Sequence, residues 1–436
     1  MERYIVGALA LLLNLVAMLP AAEGESPGPT GEEGASAAHD LPQRVAQLEA
    51  MVESLSRELT TLKTAMGVTK AGEPQPPAPE GLAPASAVTI SGEEVRLLPS
   101  RSVAGGSYGV EGRSVATHGF VDLEYTDAQR EGSRNGVSTF DNNHANVFFD
   151  ALLRPKLRAH LEVEYEHSGS EVEIDQAYVA WQATNWLTFE AGRFYTPFGI
   201  ERFAWYSPTN QLVSRPAPMR DIIPGNFYAS GLQVSGILHN QENEPRFTYE
   251  LALSDGLGDK ALSDRRGSRQ TRDNNSSRAI SARLSWVGYP WWEVGASYHT
   301  QKYDNSSEHE LRFLGADFSG RYRGFELRTE WVEALAERGS AALRAPDLEQ
   351  EGWYAQLAYR FNWDRQLLPS LALVTRYDQV DLDRAREGGD DRQRWSLGIN
   401  AGIYEHFGVK LEYQLADEKG LEKDDDAFLS QLVVDF

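Results

Sequence analysis

Between His118 and Phe436 the chain repeats one pattern, in which about ten residues alternate apolar and polar side chains before a turn. From Leu157 to Glu166 every second side chain is apolar or aromatic, and the intervening ones are charged or histidine. Side chains of a β-strand point alternately to opposite faces, so such a strand has one apolar and one charged face. This pattern predicts an all-β transmembrane barrel with an apolar outside and a polar lumen.

Sixteen strand-like runs follow one another, and the lengths of their connections alternate. They begin near residues 117, 142, 157, 171, 186, 229, 246, 277, 291, 308, 323, 350, 369, 391, 406 and 427. Tight connections follow the second, fourth, eighth, tenth and fourteenth runs, whereas long polar ones follow the first, fifth, seventh, eleventh, thirteenth and fifteenth. This alternation is typical of periplasmic turns and extracellular loops in an antiparallel outer-membrane barrel with both termini in the periplasm.

Aromatic residues near the tight turns support a membrane location, because rings with a polar edge suit the lipid–water interface. These residues are Trp186, Tyr289, Trp291, Trp292, Tyr322, Trp363, Tyr404 and Phe407. A water-soluble β-sandwich is the alternative, and it would not need an aromatic ring at every second turn.

Composition agrees with a half-apolar barrel. The mean hydropathy of -0.46 argues against a helical membrane protein. The chain has no cysteine, which excludes disulfides and thiolate metal sites. A formal net charge of -22 argues against nucleic acid as a partner, since a phosphate backbone requires a basic face.

The N-terminal region is predicted to be separate from the barrel. Residues 1–22 contain one arginine, an apolar run and two final alanines, as in a secretory signal peptide, although a membrane anchor is the alternative. Residues 23–39 are rich in Gly, Glu, Ser and Pro and form a flexible tether. Residues 68–116 are a proline-rich spacer and lead-in to the barrel domain, residues 117–436.

Residues 40–67 carry a heptad repeat and are predicted to form a periplasmic coiled-coil helix. Apolar residues recur alternately three and four apart, with leucines at d positions, and this narrow stripe favours self-association. The charged g and e positions would pair across a parallel interface. The alternative is an amphipathic helix that lies on its own domain.

The longest connection, Tyr195 to Tyr228, follows the fifth strand and is the third extracellular loop. Its aromatic residues offer apolar surface, and Arg202, Arg215 and Arg220 offer positive charge. Since such a segment is unsuited to open solvent, we expect it to fold inward against the barrel wall.

This loop carries the sequence that resembles a known family, the phosphate-selective porins O and P. The resemblance rests on Gly192-Arg193-Phe194-Tyr195-Thr196-Pro197-Phe198-Gly199-Ile200-Glu201-Arg202, on Asn274-Asn275 leading to Ala282-Arg283-Leu284, and on Leu397-Gly398-Ile399-Asn400. It implies a sixteen-stranded homotrimeric porin embedded in Gram-negative outer-membrane lipid, without a cofactor. Such a porin passes small hydrophilic solutes and often prefers anions, here phosphate or organic acids. Phosphate-specific members carry ladders of lysine and arginine, whereas Lys410 is the only lysine that the alternation places at mid-depth in this lumen.

The alternation also sorts the charges of the lumen, with acidic residues on the early strands and arginines on the later ones. The predicted pore-constriction and anion-contacting residues are Arg202, Arg215, Arg220, Arg283, Arg328, Arg376 and Lys410. The opposing acidic wall carries Asp122, Glu124, Glu162 and Glu164. These residues predict a weak preference for small anionic or polar solutes. The alternative is that wall charges only keep the lumen wet and pair across strands.

Enzyme motifs are missing from the sequence. There is no His-Glu-x-x-His zinc motif and no Gly-x-Ser-x-Gly nucleophile elbow, so we predict no catalytic residue and no metal. A second hypothesis is a structural barrel that tethers the envelope through its periplasmic coiled coil.

Overall fold

The computed structural model describes residues 108–110, 113–128, 138–169, 171–184, 186–238, 246–270, 272–288, 292–338, 347–362, 368–384, 391–403, 406–418 and 426–436. The predicted signal peptide, tether and coiled coil lie outside these residues, as does most of the spacer. None of the helices in the described part is long and apolar enough to cross a membrane.

The barrel has sixteen strands, as the sequence predicted. They are β1 (Arg113–Ala128), β2 (His144–Arg154), β3 (Leu157–Glu166), β4 (Glu171–Thr184), β5 (Leu187–Tyr195), β6 (Tyr228–Leu238), β7 (Arg246–Ser254), β8 (Ala279–Gly288), β9 (Trp292–Lys302), β10 (Glu310–Tyr322), β11 (Phe325–Ala336), β12 (Leu348–Asn362), β13 (Ser370–Asp381), β14 (Asp391–Ile403), β15 (Phe407–Glu418) and β16 (Ala427–Asp435). Two short helices, α1 (Glu201–Ala204) and α2 (Pro218–Asp221), and a 3-10 turn (His167–Gly169) lie in loops.

Each strand pairs antiparallel with its neighbours in the chain, and β16 pairs with β1 to close the barrel. Two short segments, Tyr108–Val110 and Thr139–Asp141, add pairings to β1. We call the end with the tight connections the turn end and the opposite end the loop end. Closure satisfies the backbone donors and acceptors of every strand, which a barrel in lipid requires.

The two faces of the barrel differ as the alternation predicted. Outward side chains are apolar and exposed, such as Leu232, which is 61% exposed, and Leu253, at 48%. Inward side chains are mostly polar or charged and buried, such as Ser281 and Asp317. An apolar outer face and a polar lumen are the arrangement of a transmembrane barrel.

Outward aromatic side chains gather near both ends of the strands. Trp186 and Tyr322 are exposed at the turn end, where Phe325 also packs on Tyr359 with ring centroids 4.6 Å apart. Near the loop end Tyr377 packs on Trp395 at 5.0 Å. Two such levels match the two interfaces of a membrane.

Two irregularities change which side chains enter the lumen. Glu162 pairs with Gln176 but Val163 pairs with Ile174, so a bulge at Asp175 directs both Asp175 and Gln176 inward. In β5, Gly192 has φ 138°, and a Cβ there would lie 2.7 Å from the Cα atom of Tyr178. Strict alternation fails at these points because the backbone itself is irregular.

The last residue takes part in closing the barrel. The Gly119 N–H donates to the Phe436 carbonyl and the Phe436 N–H donates to the Gly119 carbonyl, each at 2.9 Å. We expect deletion of Phe436 to reduce the yield of folded barrel far more than Leu432→Val, which keeps both hydrogen bonds. Heat-modifiable migration of membrane-inserted protein measures this yield. Equal yields for the two variants would show that closure does not depend on Phe436.

Candidate functional site

The third loop, residues 196–227, turns into the lumen at Gly199. Gly199 has φ 65°, a conformation that favours glycine, and a Cβ there would meet the Glu330 carboxylate. Its N–H donates to Ser297 Oγ at 3.0 Å, and the next N–H, of Ile200, donates to Glu330 Oε2 at 2.8 Å. The loop therefore reaches β9 and β11 soon after it leaves β5, and the predicted inward fold is confirmed.

The loop then crosses to the acidic wall on β1–β3. The Tyr206 hydroxyl donates to Glu162 Oε2 at 2.9 Å, and the Ser207 hydroxyl donates a short hydrogen bond to Asp122. Trp205 packs against the His144 imidazole, with ring centroids 5.5 Å apart. A buried aromatic cluster seals this contact and comprises Phe120, Phe148, Tyr195, Trp205, Tyr206 and Tyr228.

On the opposite side the loop is held by Arg376 of β13. The Arg376 guanidinium donates to the Ser214 carbonyl at 2.9 Å and to Ser214 Oγ at 2.7 Å, and it pairs with Asp378 at 2.9 Å. Glu412 of β15 accepts from the N–H groups of Val213 and Ser214, both at 2.8 Å. Charged side chains of the wall thus provide hydrogen-bond partners for backbone groups of the loop that are buried away from water.

Two further cations extend this attachment. Lys410 Nζ donates to the Ser207 carbonyl at 2.5 Å and to Gln431 Oε1 at 2.8 Å. Arg394 donates to the Arg215 carbonyl at 3.0 Å. The third loop is consequently attached to opposite walls, and it narrows the lumen rather than lining one side of it.

All seven predicted anion-contacting cations lie inside the barrel, and six of them are paired with carboxylates. The pairs are Arg202 with Glu250 at 2.7 Å, Arg215 with Glu201 at 2.6 Å, Arg220 with Asp221 at 2.7 Å, Arg283 with Asp317 at 2.7 Å and Glu293 at 3.0 Å, Arg328 with Glu326 at 2.7 Å, and Arg376 with Asp378 at 2.9 Å.

These cations differ in exposure. The side chains of Arg202, Arg283 and Arg376 are buried, whereas those of Arg220, Arg215 and Arg328 are 52%, 19% and 15% exposed. With the loop in this position, the last three are the predicted arginines that can meet a solute. That any of the seven contacts an anion stays a prediction.

The four carboxylates of the predicted acidic wall lie on β1 and β3. Asp122, Glu162 and Glu164 are buried beneath the third loop, and Glu124 is half-buried beside Gln431, whose amide donates to it at 2.6 Å. Acids on β1 and β3 therefore face the cations on β8 and β13 across the lumen, whereas Lys410 of β15 lies beside them and is linked to Asp122 through Gln431. Asp122, Glu162 and Glu164 each accept a hydrogen bond from the third loop as well as bonding neighbouring residues of the wall or loop.

A cluster of arginines at the turn end of the lumen is more accessible. Arg321 and Arg328 pair with Glu326 at 2.9 and 2.7 Å, and exposed Arg360 lies on the next strand, β12. We call these residues the turn-end arginine cluster. Three guanidinium groups beside one carboxylate leave a net positive charge at this mouth.

Arg321 is not among the predicted lumen residues, because it lies where the sequence predicts the tight connection after the tenth run, just before the eleventh run begins near residue 323. The structure continues β10 to Tyr322. The inward alternation from Asp317 through Ser319, both buried, would have placed Arg321 in the lumen.

The fourth loop, residues 255–278, also folds inward, which the sequence analysis did not predict. The Leu257 N–H donates to Gln301 Oε1 at 2.8 Å, and the Arg265 guanidinium lies 5.1 Å from the Phe313 ring centroid. Arg265 also donates short hydrogen bonds to the Ile222 carbonyl and to Gln350. The sequence does contain a signal for this inward fold, because the connection includes apolar residues, such as Leu257, that would need burial.

The two loops build an apolar cluster inside the barrel against β9–β13. Its larger members are Phe198, Met219, Ile222, Phe227, Leu257, Leu311, Phe313, Val332 and Tyr354. Close packing of this kind excludes water, so the loop-end lumen is partly dry on this side.

Comparison with known proteins agrees with this geometry. Residues 153–323 match the family model described as phosphate-selective porin O and P, which confirms the resemblance over that stretch. A curated relative, an uncharacterized protein of Aquifex aeolicus (strain VF5), is 22% identical and covers 72% of this chain and 78% of its own.

Solved porin structures share the fold. OmpF of Salmonella typhi, in complex with daunomycin, aligns at a TM-score of 0.54 with 11% identity, over 76% of this chain and 100% of that chain. An anion-selective porin from Comamonas acidovorans aligns at 0.52 with 12% identity, over 74% of this chain and 100% of that chain. The trimer form of OmpT from Vibrio cholerae aligns at 0.52 with 10% identity, over 74% and 100%. These similarities concern the barrel fold.

Proposed function

We propose that this chain, whose residues 153–323 carry phosphate-selective porin O and P sequence, is an outer-membrane channel for passive diffusion of small hydrophilic solutes. The observation that carries the proposal is a closed barrel with an apolar outside, a charged inside and a third loop attached across the lumen. A polar lumen lets hydrated solutes cross a hydrocarbon layer, and the inward loop limits their size.

The preferred solutes are small anions, such as phosphate or organic acids. The turn-end arginine cluster and Arg220 offer positive charge that a solute can reach, whereas Asp122, Glu162 and Glu164 are buried beneath the loop. Accessible charge in a narrow passage weighs most in ion selectivity.

The channel is proposed to be a homotrimer in outer-membrane lipid, with its termini in the periplasm. Support comes from the heptad repeat of residues 40–67, which favours self-association, and from the apolar outer face. The coiled coil itself stays a prediction from sequence.

One observation favours the second candidate, a structural barrel that tethers the envelope. The third loop is hydrogen-bonded to opposite walls, and the mid-depth charges are buried beneath it. A barrel closed in this way would conduct nothing.

Replacing Arg321, Arg328 and Arg360 together with glutamine tests the selectivity. The change removes three positive charges from the turn end and leaves Glu326 without its arginine partners, so the reversal potential in a salt gradient should move toward cation preference. Planar-bilayer recording measures this potential.

The matched control is Arg312→Gln, on the outward face of the same strand as Arg321, where the charge lies outside the lumen. The control should leave the reversal potential unchanged. A triple variant that behaves like the wild type would place the conduction path away from this cluster.

A further inference from the structure

The acidic wall contains a cluster of metal-ligand types beneath the third loop. His144 stands at the loop end of β2, and Glu164 and Glu166 stand at the loop end of β3. One imidazole nitrogen and one oxygen from each carboxylate lie within 4.8 Å of one another. This grouping is independent of the arginines that bear on solute selectivity.

The His144 ring is oriented for ligation. Its Nδ1 lies 3.2 Å from Asp122 Oδ2, and its Nε2 lies 4.0 Å from Glu166 Oε1. A carboxylate that accepts from one ring nitrogen fixes the tautomer and presents the other nitrogen's lone pair, as in many metal sites. Trp205 packs beside the ring and restricts its rotation.

Glu164 supplies a second, independent observation. Its side chain is buried, with the residue 1% exposed, and Oε2 accepts from Asn226 Nδ2 at 2.9 Å. Oε1 accepts from no N–H or hydroxyl donor, and the side chain lies within hydrogen-bond reach of the Asp175 carboxyl. Two buried carboxyl groups in contact cannot both be ionised without compensation, so the pair requires a shared proton or a cation.

The surroundings carry an excess of negative charge. Glu162 and Asp175 are buried close to Glu164, and Asp175 also has an oxygen without a partner. Arg266 of the fourth loop is half-exposed and binds Glu166 through a short ion pair. Arg215 and Arg269 also lie nearby, since both donate to Asn226, but their ion pairs are with Glu201 and Glu173. These guanidinium groups do not balance all the carboxylates of this group.

The sequence motifs predicted no metal, but from this geometry we propose that His144, Glu164 and Glu166 bind a divalent transition-metal ion, with Asp122 orienting the imidazole. One nitrogen and two oxygens suit Zn²⁺, and two carboxylates neutralise its charge. In a tetrahedral zinc site the ligand atoms lie about 2.1 Å from the metal and therefore about 3.4 Å from one another. The ligand atoms of these three residues lie within 4.8 Å of one another, so small side-chain rotations would bring them to that spacing. A bound ion would join β2 to β3 and, through Asn226, hold the third loop against this wall.

Zinc titration of the tag-free, chelator-treated full chain in detergent tests the proposal, with calorimetry for affinity and metal analysis for stoichiometry. We expect one Zn²⁺ per chain. Glu164→Gln and Glu166→Gln should each weaken binding at least tenfold, and Asp122→Asn by about 10- to 100-fold, as for other second ligand shells. An excess of Ca²⁺ should not displace zinc, because imidazole disfavours that ion.

The matched control is Glu171→Gln. Glu171 is an exposed carboxylate that lies 3.6 Å from Arg266 and does not belong to the three-residue group. Its replacement should therefore leave the zinc affinity unaltered. Where a ligand variant fails to fold, the absorption spectrum of Co²⁺ added to the wild type decides, since four-coordinate Co²⁺ absorbs visible light much more strongly than the hydrated ion. Absence of zinc and cobalt binding in the wild type, or wild-type affinity in folded ligand variants, would overturn the site and leave a proton on Glu164.

Discussion

Replacing Arg376 with alanine should loosen the third loop from β13, although the contacts of Glu412, Lys410 and Arg394 with the loop remain. The Arg376 side chain is fully buried and donates to Ser214 and to the Arg215 carbonyl, the latter at 3.2 Å. Its removal leaves Asp378 paired with Arg394, at 3.1 Å, and takes the Arg376 guanidinium away from buried Glu412. Breaking a buried pair costs on the order of 3–5 kcal/mol. The barrel should stay folded, because its strand ladder closes independently of the loop. We therefore expect the lost free energy to increase the fraction of folded molecules in which the third loop is open.

Trypsin cleavage of the folded protein within the third loop measures this opening. A cost of about 3–5 kcal/mol corresponds to an increase of roughly 150- to 5,000-fold in the open population, which the cleavage rate follows when opening is fast. The matched control is Arg360→Ala, which removes an exposed lumen arginine at the turn end. Equal cleavage rates for the two variants would contradict the assignment of Arg376 as the attachment point.

Replacing residues 198–226 with a short glycine–serine linker should widen the passage. The ends of the loop already meet, because the Thr196 N–H donates to the Phe227 carbonyl at 2.8 Å. The variant loses the contacts of the loop with both walls. The wall carboxylates that bonded the loop then become exposed, and water replaces their lost hydrogen-bond partners. Conductance and the size limit for sugars should both rise several-fold, since a barrel of about sixteen strands encloses an aqueous channel once it is not filled.

Liposome swelling with sugars of increasing size measures the new limit. Shortening the polar connection between β15, which ends at the loop end, and β16, which begins there, provides a control of the same kind. An unchanged size limit after removal of the third loop would show that another segment sets the constriction.

The strands could be predicted because their signal is local. In Leu157–Glu166 the alternation of charged and apolar side chains specifies both the strand and its faces, and β3 has these bounds. The third loop could also be predicted to fold inward, since its aromatic residues need burial. These properties depend on neighbouring residues in the chain.

The partners of the charges could not be predicted, because they depend on contacts distant in sequence. Arg376 binds Ser214, 162 residues earlier, and Arg202 binds Glu250, 48 residues later. Alternation shows that an arginine faces the lumen, but the path of the loop decides whether it is buried. The bulge at Asp175 likewise arises from backbone geometry that the side-chain pattern does not determine.

Single-channel recording of the wild-type protein in planar bilayers tests the central claim most directly. We expect discrete conductance steps, with a reversal potential in a salt gradient on the side of anion preference. Folded, inserted protein that shows no steps would contradict a diffusion channel and favour a closed barrel with a structural role.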